Sequence, residues 1–340
     1  MRSAALRPTV GEVARAAGVS PSTVSRVLNG SPRVSPATRE AIEAAISELG
    51  YEPNNAARSL VGGRTHTVGL VVSEPHERVF GDPFLAAIVR GVSREVMRAR
   101  LQCAVLMAND AVDREKVERF VTQGHVDGVI LVSLHEGDRL PDVLTAAGVP
   151  AVLSGRPMGL RRPVTYVDAD SRGGAALATR HLIGLGRQRI ATITGPLEMP
   201  AGTDRFDGYC DALRDADRPV TRSLVAEGDF TEHSGAVQMG RLLERHPDLD
   251  AVFVASDAMA IGALHALSRA GRRVSDDVAV VGFDDVPTAR FTNPPLTTVR
   301  QPFDDMAVAL AQRLVAQLDA PDAVVDHVVF PTELVVRASA

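Results

Sequence analysis

A short segment near the start of the chain carries side chains suited to contact with DNA. The segment Thr9 to Gly30 reads TVGEVARAAGVSPSTVSRVLNG, and its second half leaves four side chains facing outward: Ser22, Thr23, Ser25 and Arg26. Small hydroxyls allow a helix to lie close to the base edges in the major groove, and an arginine can donate two hydrogen bonds to one guanine. These residues therefore suit recognition of bases and phosphates. A helical hairpin with only a structural role is the alternative interpretation.

Two short helices joined by a tight turn must position these side chains. Thr9 and Glu12 have the spacing of a capping box at the start of the first helix, and Gly18 marks its end. Between them lies an apolar stripe made of Val10, Val13, Ala14 and Ala17. The spacing predicts one helix of about two turns.

The second helix is predicted to begin with Ser20 as its cap and Pro21 at its first position. Asn29 and Gly30 mark its end. Its inward face consists of Val24, Val27 and Leu28. The outward residues named above therefore share the opposite face.

A third helix and a short polar segment complete this region. Ser35 is the expected cap, Pro36 the first helical residue and Gly50 the stop. Its expected inner face is Ile42, Ala45, Ile46 and Leu49. The segment 51–60 permits about two helical turns, and isolated helices shorter than roughly 12 residues are marginal in water, so its order should come from what it binds. We expect a headpiece over residues 1–52, a hinge helix and linker over 53–65, and a core over 66–340.

From His66 onward the sequence alternates between strand and helix patterns. The strand segments are TVGLVVS, CAVLMA, DGVILVS, PAVLS, VTYVD, RIATITG, SLVAEGD, AVFVA and VAVVGF. Helices are expected between them, for example near Pro83–Arg98 and Val112–Gln123. This alternation predicts parallel sheets, and the number of units predicts two similar doubly wound lobes. A ligand between such lobes would contact loops at the carboxyl ends of strands from both.

Composition and charge restrict the class of protein. A chain of 340 residues with 45% hydrophobic content is typical of a globular protein of two or three domains. Residues 1–64 carry eight arginines and five glutamates, whereas the remainder carries 29 basic and 37 acidic residues. A basic head therefore precedes an acidic body, which concentrates attraction for phosphates on the head.

Other classes of site and location are not favoured. Cys103 and Cys210 provide neither a disulfide framework nor metal-ligand spacing, so we expect two buried thiols and no metal or cofactor. The sequence has no apolar segment of signal-peptide or membrane-spanning length. We therefore expect a cytoplasmic protein that does not interact with membranes.

Several segments, in the same order, resemble the LacI/GalR family of bacterial transcription regulators over about residues 8–337. They are VARAAGVSPSTVSRVLNG and VSPATREAIEAAISELGYEPNNAARSL near the start, then VASDAMAIGAL, VAVVGFDD and PPLTTVRQPF. The resemblance implies an α/β fold: an N-terminal three-helix helix-turn-helix headpiece followed by a two-lobed, periplasmic-binding-protein-like core of doubly wound parallel sheets. The expected N-lobe is about 66–168 and 302–328, and the expected C-lobe about 169–301 and 329–337.

The resemblance also implies a homodimer on double-stranded operator DNA, with headpieces in adjacent major grooves and hinge helices in the minor groove between them. The positions that match the family's DNA-contacting surface are Thr9, Ser20, Ser22, Thr23, Ser25, Arg26, Asn29, Tyr51, Asn54, Ala57 and Leu60. Arg26 is the expected base reader; the expected phosphate contacts are Thr9, Ser25, Asn29 and Asn54. Leu60 matches a minor-groove wedge, with Ala57 one turn earlier. The alternative for Leu60 is a linker residue that packs on its own core.

For an effector site, the resemblance implies a set of residues near strand ends or lobe connections: Phe84, Arg205, Phe230, Ser256, Asp257, Asp284, Gln301 and Phe303. Arg205 and Asp284 can each span two neighbouring hydroxyls of a sugar, and Phe230 offers an apolar face to a ring. Three alternatives remain open. Arg205 and Asp284 could form an interlobe salt bridge, Phe230 and Phe303 could be core residues, and Asp257 could cap a helix that begins at Ala258.

The predicted function is a ligand-responsive repressor that a small carbohydrate-like effector releases from a palindromic operator. The alternative is a corepressed regulator with a purine-like or other effector. Because the chain ends at VVRASA, soon after the last expected strand, we expect a dimer without a tetramer-forming tail. A periplasmic solute binder would share the core and lack the headpiece. An enzyme is not expected, because the sequence lacks a Gly-x-Ser-x-Gly elbow, a P-loop and a metal-ligand cluster.

Overall fold

The computed structural model describes residues 8–28, 31, 33–51, 64–160, 162–320 and 324–340. The chain divides into two compact units, with the division between Thr65 and His66. The predicted DNA contacts Asn29, Asn54, Ala57 and Leu60 lie outside the described residues.

The first unit contains three helices: α1 (Val10–Ala16), α2 (Pro21–Leu28) and α3 (Pro36–Leu49). Both halves of the predicted capping box are present, since the Thr9 side chain accepts from the Glu12 amide and the Glu12 carboxylate accepts from the Thr9 amide. Gly50 ends α3 in the left-handed conformation, at φ 61°. Side chains from all three helices meet in one small core: Val13, Ala14, Val24, Val27, Ile42, Ala45 and Tyr51. One detail of the prediction is wrong, because Leu49 is exposed and takes no part in this core.

The first sheet of the second unit has the order β11-β5-β4-β3-β1-β2. Its strands are β1 (Thr67–Val72), β2 (Gln102–Met107), β3 (Gly128–Val132), β4 (Ala151–Ser154), β5 (Thr165–Ala169) and β11 (His327–Phe330), and every pairing among them is parallel. The helices of this lobe are α4 (His76–Gly81), α5 (Pro83–Arg98), α6 (Ala111–Thr122), α7 (Leu140–Ala146) and α12 (Phe303–Asp319). Apolar clusters cover both faces of the sheet, which explains why β1 and β3 are almost entirely apolar.

The second sheet has the order β12-β10-β9-β8-β6-β7. Its strands are β6 (Ile190–Thr194), β7 (Val225–Glu227), β8 (Ala251–Val254), β9 (Ala279–Asp284), β10 (Thr297–Arg300) and β12 (Glu333–Val335), of which β12 runs antiparallel to β10. Its helices are α8 (Ser171–Gly184), α9 (Pro200–Asp215), α10 (Glu232–Arg245) and α11 (Asp257–Arg269). Short 3₁₀ turns lie at Arg222–Leu224 and Pro287–Arg290.

The chain crosses between the lobes three times: after β5, after β10, and between β11 and β12. Both sheets are mainly parallel, so the loops after the carboxyl ends of the strands lie along one edge of each sheet. At the crossings, these loops of the two lobes come together. The predicted two-lobed α/β fold is confirmed. The helix expected near Pro83–Arg98 has those bounds, and Asp82 caps it by accepting from the Phe84 amide.

Two observations differ from, or add to, the expectations. Cys103 and Cys210 are half-buried and not fully buried. The sequence pattern assigned no element to the short helix α4. Within the described ranges, no helix is long and apolar enough to cross a membrane, and no group of His, Cys, Asp and Glu has the arrangement of a metal site.

Candidate functional site

A cavity lies between the two lobes, where loops follow the strands. It encloses about 740 Å³, including the part that opens to solvent. We call it the inner cavity, and its polar lining is Arg78, Asp82, Ser133, Ser154, Arg156, Asp168, Ser171, Arg205, Ser256, Asp284 and Gln301.

The buried guanidinium of Arg205, on α9, is the central cation of the inner cavity. Its Nη1 donates to the Ala255 carbonyl at 2.6 Å and lies 3.4 Å from Oδ1 of Asp284. The guanidinium also stacks 3.8 Å above the ring centroid of Phe283. Burial lowers the pKa of Arg205, and the nearby Asp284 carboxylate opposes that shift. Arg205 and Asp284 both belong to the second lobe, so their ion pair lies within one lobe; the interlobe salt bridge considered from the sequence is wrong.

Asp284 ends β9 and is almost completely buried. Burial raises its pKa to about 7, and Arg205 opposes the rise. Oδ1 accepts from Nε2 of Gln301 at 2.7 Å. Three of the predicted effector residues, Arg205, Asp284 and Gln301, are thus brought into direct contact or close proximity.

The backbone at these strand ends adopts conformations that are uncommon for residues other than glycine. φ is 116° at Asp284, 53° at Asp285 and 67° at Phe230. Such conformations cost on the order of 1–3 kcal/mol each and concentrate at binding sites. The surrounding fold therefore stabilises these backbone conformations, and with them the side-chain positions, despite the local free-energy cost.

The aromatic residues divide into cavity-lining and supporting groups. Phe230 lines the cavity while packing in the core of the second lobe, with the Arg78 guanidinium 4.9 Å from its ring centroid. Phe84 also lines the cavity. Phe303 does not: it packs edge-on against Phe84, with ring centroids 5.3 Å apart, and Met306 lines the wall instead. For Phe303, the core-packing alternative describes the structure better.

Asp257 stands behind the cavity wall and does not line it. It is completely buried, and its two oxygens accept from the Thr298 hydroxyl at 2.6 Å and the Val286 amide at 2.9 Å. Burial, with Asp284 as the next cause, raises its pKa well above the usual value. The alternative of a capping role for Asp257 is wrong, because Ser256 is the cap of α11, through a bond from the Met259 amide. Ser256 also lines the cavity, as predicted from the resemblance.

The sequence did not single out several polar residues that line this cavity. Asp168 lies in β5 of the first lobe, one residue before that strand ends, and its carboxylate accepts from the amides of Arg156 and Ala169 at 2.9 and 2.8 Å. Burial raises its pKa to about 6. Arg156 in turn donates to Asp204 of the second lobe at 2.7 Å, so the two lobes are linked beside the cavity. The only sequence signal available was position: Asp168 lies near the end of a strand and Arg156 shortly after one.

A second, wider space adjoins the inner cavity towards solvent and encloses about 1740 Å³. We call it the outer chamber. Arg78, Asp82 and Phe230 line both spaces, so the two are neighbours. The other polar residues of its lining include Glu74, Asn109, Arg114, His135, Glu198, Asp229, Thr231, Glu232 and His233.

The predicted DNA-facing residues of the headpiece lie on an exposed face of α2. The hydroxyls of Ser20, Ser22 and Thr23 bond to one another at 2.8 and 2.9 Å, and the Ser25 hydroxyl donates to the Pro21 carbonyl. The side chain of Arg26 is exposed and makes no hydrogen bond to another side chain or carbonyl among the described residues, while its backbone carbonyl accepts from the Ser31 amide. Thr9 is exposed at the start of α1, whereas Tyr51 is buried in the headpiece core. Tyr51 therefore packs between the helices of the headpiece, and its contact with DNA stays a prediction.

Together, a helix-turn-helix unit and a two-lobed core with a polar cavity define a ligand-responsive, DNA-binding transcription regulator. Comparison with known families agrees: "Bacterial regulatory proteins, lacI family" matches residues 9–54, and "Periplasmic binding protein-like domain" matches residues 179–340. The chain belongs to the LacI family of bacterial regulatory proteins. The resemblance predicted from the sequence is confirmed.

Relatives match over nearly the whole chain. The HTH-type transcriptional regulator CelR of Thermobifida fusca is 48% identical over 98% of each chain, and the ribose operon repressor of Escherichia coli K12 is 35% identical over 92% of this chain and 94% of its own. A structure of a CelR–cellobiose complex superposes with a TM-score of 0.79 at 46% identity, covering 98% of this chain and 100% of the other. A lac repressor dimer bound to operator and the anti-inducer ONPF gives 0.84 at 30% identity, covering 98% and 99%.

Proposed function

We propose that this protein is a homodimeric repressor that a neutral sugar releases from its operator. The observation that carries the sugar assignment is the group formed by Arg205, Asp284 and Gln301 at the wall of the inner cavity. A guanidinium, a carboxylate and an amide can together donate to and accept from neighbouring hydroxyls of one ring. Phe230 adds an apolar surface against which the C–H face of a sugar can pack.

The charge of the inner cavity favours a neutral ligand. Three arginines and three aspartates line it: Arg78, Arg156, Arg205, Asp82, Asp168 and Asp284. Their formal charges cancel, and the arginines are already engaged with carboxylates or carbonyls of the protein. A phosphorylated or otherwise anionic ligand would bring unpaired negative charge close to buried carboxylates, which is costly.

The similar proteins support the same class of effector. One structure that superposes over the whole chain is a complex with cellobiose, and a second relative is a ribose operon repressor. The corepressed, purine-like alternative rests on more distant relatives, such as the PurR repressor of Haemophilus influenzae at 33% identity over 86% of each chain, and is less favoured. Neither a periplasmic solute binder nor an enzyme requires a DNA-binding headpiece, so we infer neither function. We place its action in the cytoplasm, where its DNA lies.

On DNA, we propose that Arg26 reads a base while Thr9 and Ser25 contact phosphates. The mutual hydrogen bonds of Ser20, Ser22 and Thr23 leave fewer free groups for base recognition, so Arg26 carries most of the direct discrimination. The assignments of Asn29 and Asn54 to phosphates, and of Ala57 and Leu60 to the minor groove, complete this proposal.

A thermal-shift screen of the full chain tests the effector class. A sugar that binds only the folded protein raises the melting temperature by mass action. We expect stabilisation by neutral sugars and none by sugar phosphates or purines. Asp284→Ala should abolish the shift, whereas Glu115→Ala, an exposed carboxylate on α6 that lines neither space, should keep it. Stabilisation by purines alone would refute the proposal.

A further inference from the structure

Asp285 follows the cavity residue Asp284 directly, but it lines neither the inner cavity nor the outer chamber. Its side chain is only 1% exposed and is held by two arginines, Arg300 and Arg337. On the basis of the proposed sugar effector, we propose that these three residues form a positioning cluster. The positioning cluster fixes where the Asp284 carboxylate lies in the inner cavity, and it does so without contacting the effector itself.

Each oxygen of the Asp285 carboxylate accepts from a different arginine. Nε of Arg300 donates to Oδ2 at 2.7 Å, and Nη2 of Arg337 donates to Oδ1 at 2.5 Å. Hydrogen bonds between charged groups are shorter and stronger than those between neutral groups. The Arg337 side chain is mostly buried, and its Nη1 also donates to the Leu296 carbonyl at 2.7 Å. The position of the Asp285 side chain is therefore fixed from two sides.

The backbone that carries the two aspartates requires such support. φ is positive at both, 116° at Asp284 and 53° at Asp285, in a region that residues other than glycine adopt rarely. Backbone of this kind persists where the surrounding structure over-determines it. Arg300 and Arg337 supply that constraint, because a change of φ at Asp285 would move its carboxylate away from both. Since Asp284 is the neighbouring residue, release of Asp285 also releases Asp284.

A small movement of Asp284 would separate it from the other polar groups of the cavity wall. Its Oδ1 lies 2.7 Å from Nε2 of Gln301 and 3.4 Å from Nη1 of Arg205. N–H···O hydrogen bonds measure about 2.7–3.2 Å, so a displacement of about 1 Å breaks the bond to Gln301. Ligand hydroxyls that bridge these three groups depend on the same geometry, which the residues behind the wall must hold.

The positioning cluster also joins Asp284 to two of the three segments that cross between the lobes. Arg300 ends β10, and the next residue, Gln301, lies on the crossing that leads into α12. Arg337 follows β12, the strand that is reached by the crossing from β11. A change in the positioning cluster should therefore affect the effector site more than an equal loss of stability elsewhere in the second lobe.

Isothermal titration calorimetry of the full chain with cellobiose at pH 8 tests the positioning cluster. Arg337→Met should weaken binding at least tenfold, and Arg300→Met should weaken it as well. Arg337→Lys keeps the charge and loses the planar fork that reaches both Asp285 and the Leu296 carbonyl. Its affinity should therefore lie between those of the wild type and Arg337→Met.

Two control variants separate positioning from a general loss of stability. Leu242, on α10, is completely buried in the apolar core of the second lobe and lines neither space. Leu242→Ala should lower the melting temperature, as truncation of a core residue does, and should keep the affinity within twofold of the wild type. Arg273→Met removes an ion pair with Asp277 at the surface and should also keep the affinity within twofold.

Crystal structures of the wild type and Arg337→Met without sugar test the positioning cluster independently of the effector. In the variant, we expect φ at Asp285 to leave the left-handed region and the bond between Asp284 and Gln301 to be broken. Unchanged φ values with an intact bond would overturn the proposal. An affinity of Arg337→Met for cellobiose no lower than that of Leu242→Ala would overturn it too.

Failure of the proposed function is distinguishable from failure of the positioning cluster. If the wild type does not bind cellobiose, the proposed sugar effector is overturned, and the two crystal structures still decide whether the positioning cluster fixes Asp284. Melting temperatures without sugar show whether each variant is folded. Arg300→Met replaces Arg337→Met in both measurements, with the same expected results, if the latter does not fold.

Discussion

The ion pair between Arg205 and Asp284 permits a quantitative test of how the inner cavity is built. The change is Arg205→Met, which keeps much of the side-chain length and removes the charge. Both side chains of the pair are more than 90% buried. Removing one partner of a buried ion pair costs about 3–5 kcal/mol, because the remaining charge is left uncompensated. We therefore expect a loss of about 4 kcal/mol in the free energy of unfolding at pH 8.

The loss should depend on pH in a defined direction. The pKa of Asp284 is about 7 in the folded protein, against an ordinary value of 3.8 that applies to the unfolded chain. Between pH 3.8 and pH 7, the folded state therefore keeps a proton on this carboxyl that the unfolded state has released. Stability from this carboxyl is fully present below pH 3.8 and is lost as the pH rises through 7. Without Arg205, which lowers the pKa of Asp284, the folded pKa rises further and the loss extends above pH 7.

The difference in free energy of unfolding between wild type and Arg205→Met should therefore be smaller at pH 5.5 than at pH 8. At pH 5.5 Asp284 is mostly neutral, and the remaining cost is the lost charged hydrogen bond to Ala255, about 1.5–3 kcal/mol. Urea denaturation followed by far-UV circular dichroism measures it, since the chain contains no tryptophan. The double variant Arg205→Met with Asp284→Asn should regain about 2 kcal/mol at pH 8, because neither position of the pair then carries a buried charge. Equal losses at both pH values, or a double variant no more stable than Arg205→Met, would refute this reasoning.

Two further predictions concern the DNA-facing helix and the packing of the second lobe. Arg26→Ala should weaken binding to an operator selected from random DNA by about 1–3 kcal/mol, whereas Ser22→Ala should change it less than threefold because Ser22 is already bonded to Ser20. Fluorescence anisotropy measures both, and equal effects would contradict the assignment. Gly208→Ala should destabilise the core by about 1–3 kcal/mol, since its Cβ would lie 2.1 Å from the Arg172 carbonyl oxygen. Gly240→Ala, where a Cβ meets open space, should be neutral or stabilising, so a reversed order of melting temperatures would argue against the packing described.

Local signals explain why so much of the fold could be predicted. Asp82 and Pro83 mark the start of α5 because a carboxylate cap and a proline at the first position both favour that boundary. The same reasoning located α1 and α3 of the headpiece. Helix α4, by contrast, covers six residues, and its cap position, Pro75, has no side-chain hydrogen bond, so neither periodicity nor a cap identified it.

The candidate site was predictable only in part, because its members come from distant segments. Arg205, Asp284 and Gln301 were identified through family resemblance, and the fold brings them together. Spacing alone would not have paired residues of α9 and β9. The sequence also could not reveal that Asp168 becomes buried beside Arg156, since that depends on how β5 packs against the loop after β4.

Asp257 and Phe303 illustrate the limit of carrying residues over by position. Asp257 matches a cleft position and yet is used to hold Thr298 and Val286 behind the wall. Phe303 opens α12, and the residue of that helix which reaches the cavity is Met306, three positions later. Which face of a helix meets the cavity depends on its packing angle, which the local sequence does not specify.

The most direct test of the central claim is the affinity of the full protein for its operator with and without cellobiose. Coupling between ligand and DNA sites is typically worth about 1–3 kcal/mol. We expect saturating cellobiose to weaken operator binding at least fivefold in the wild type and not at all in Asp284→Ala. Unchanged or tighter operator binding in the presence of cellobiose would contradict a repressor that its sugar releases from DNA.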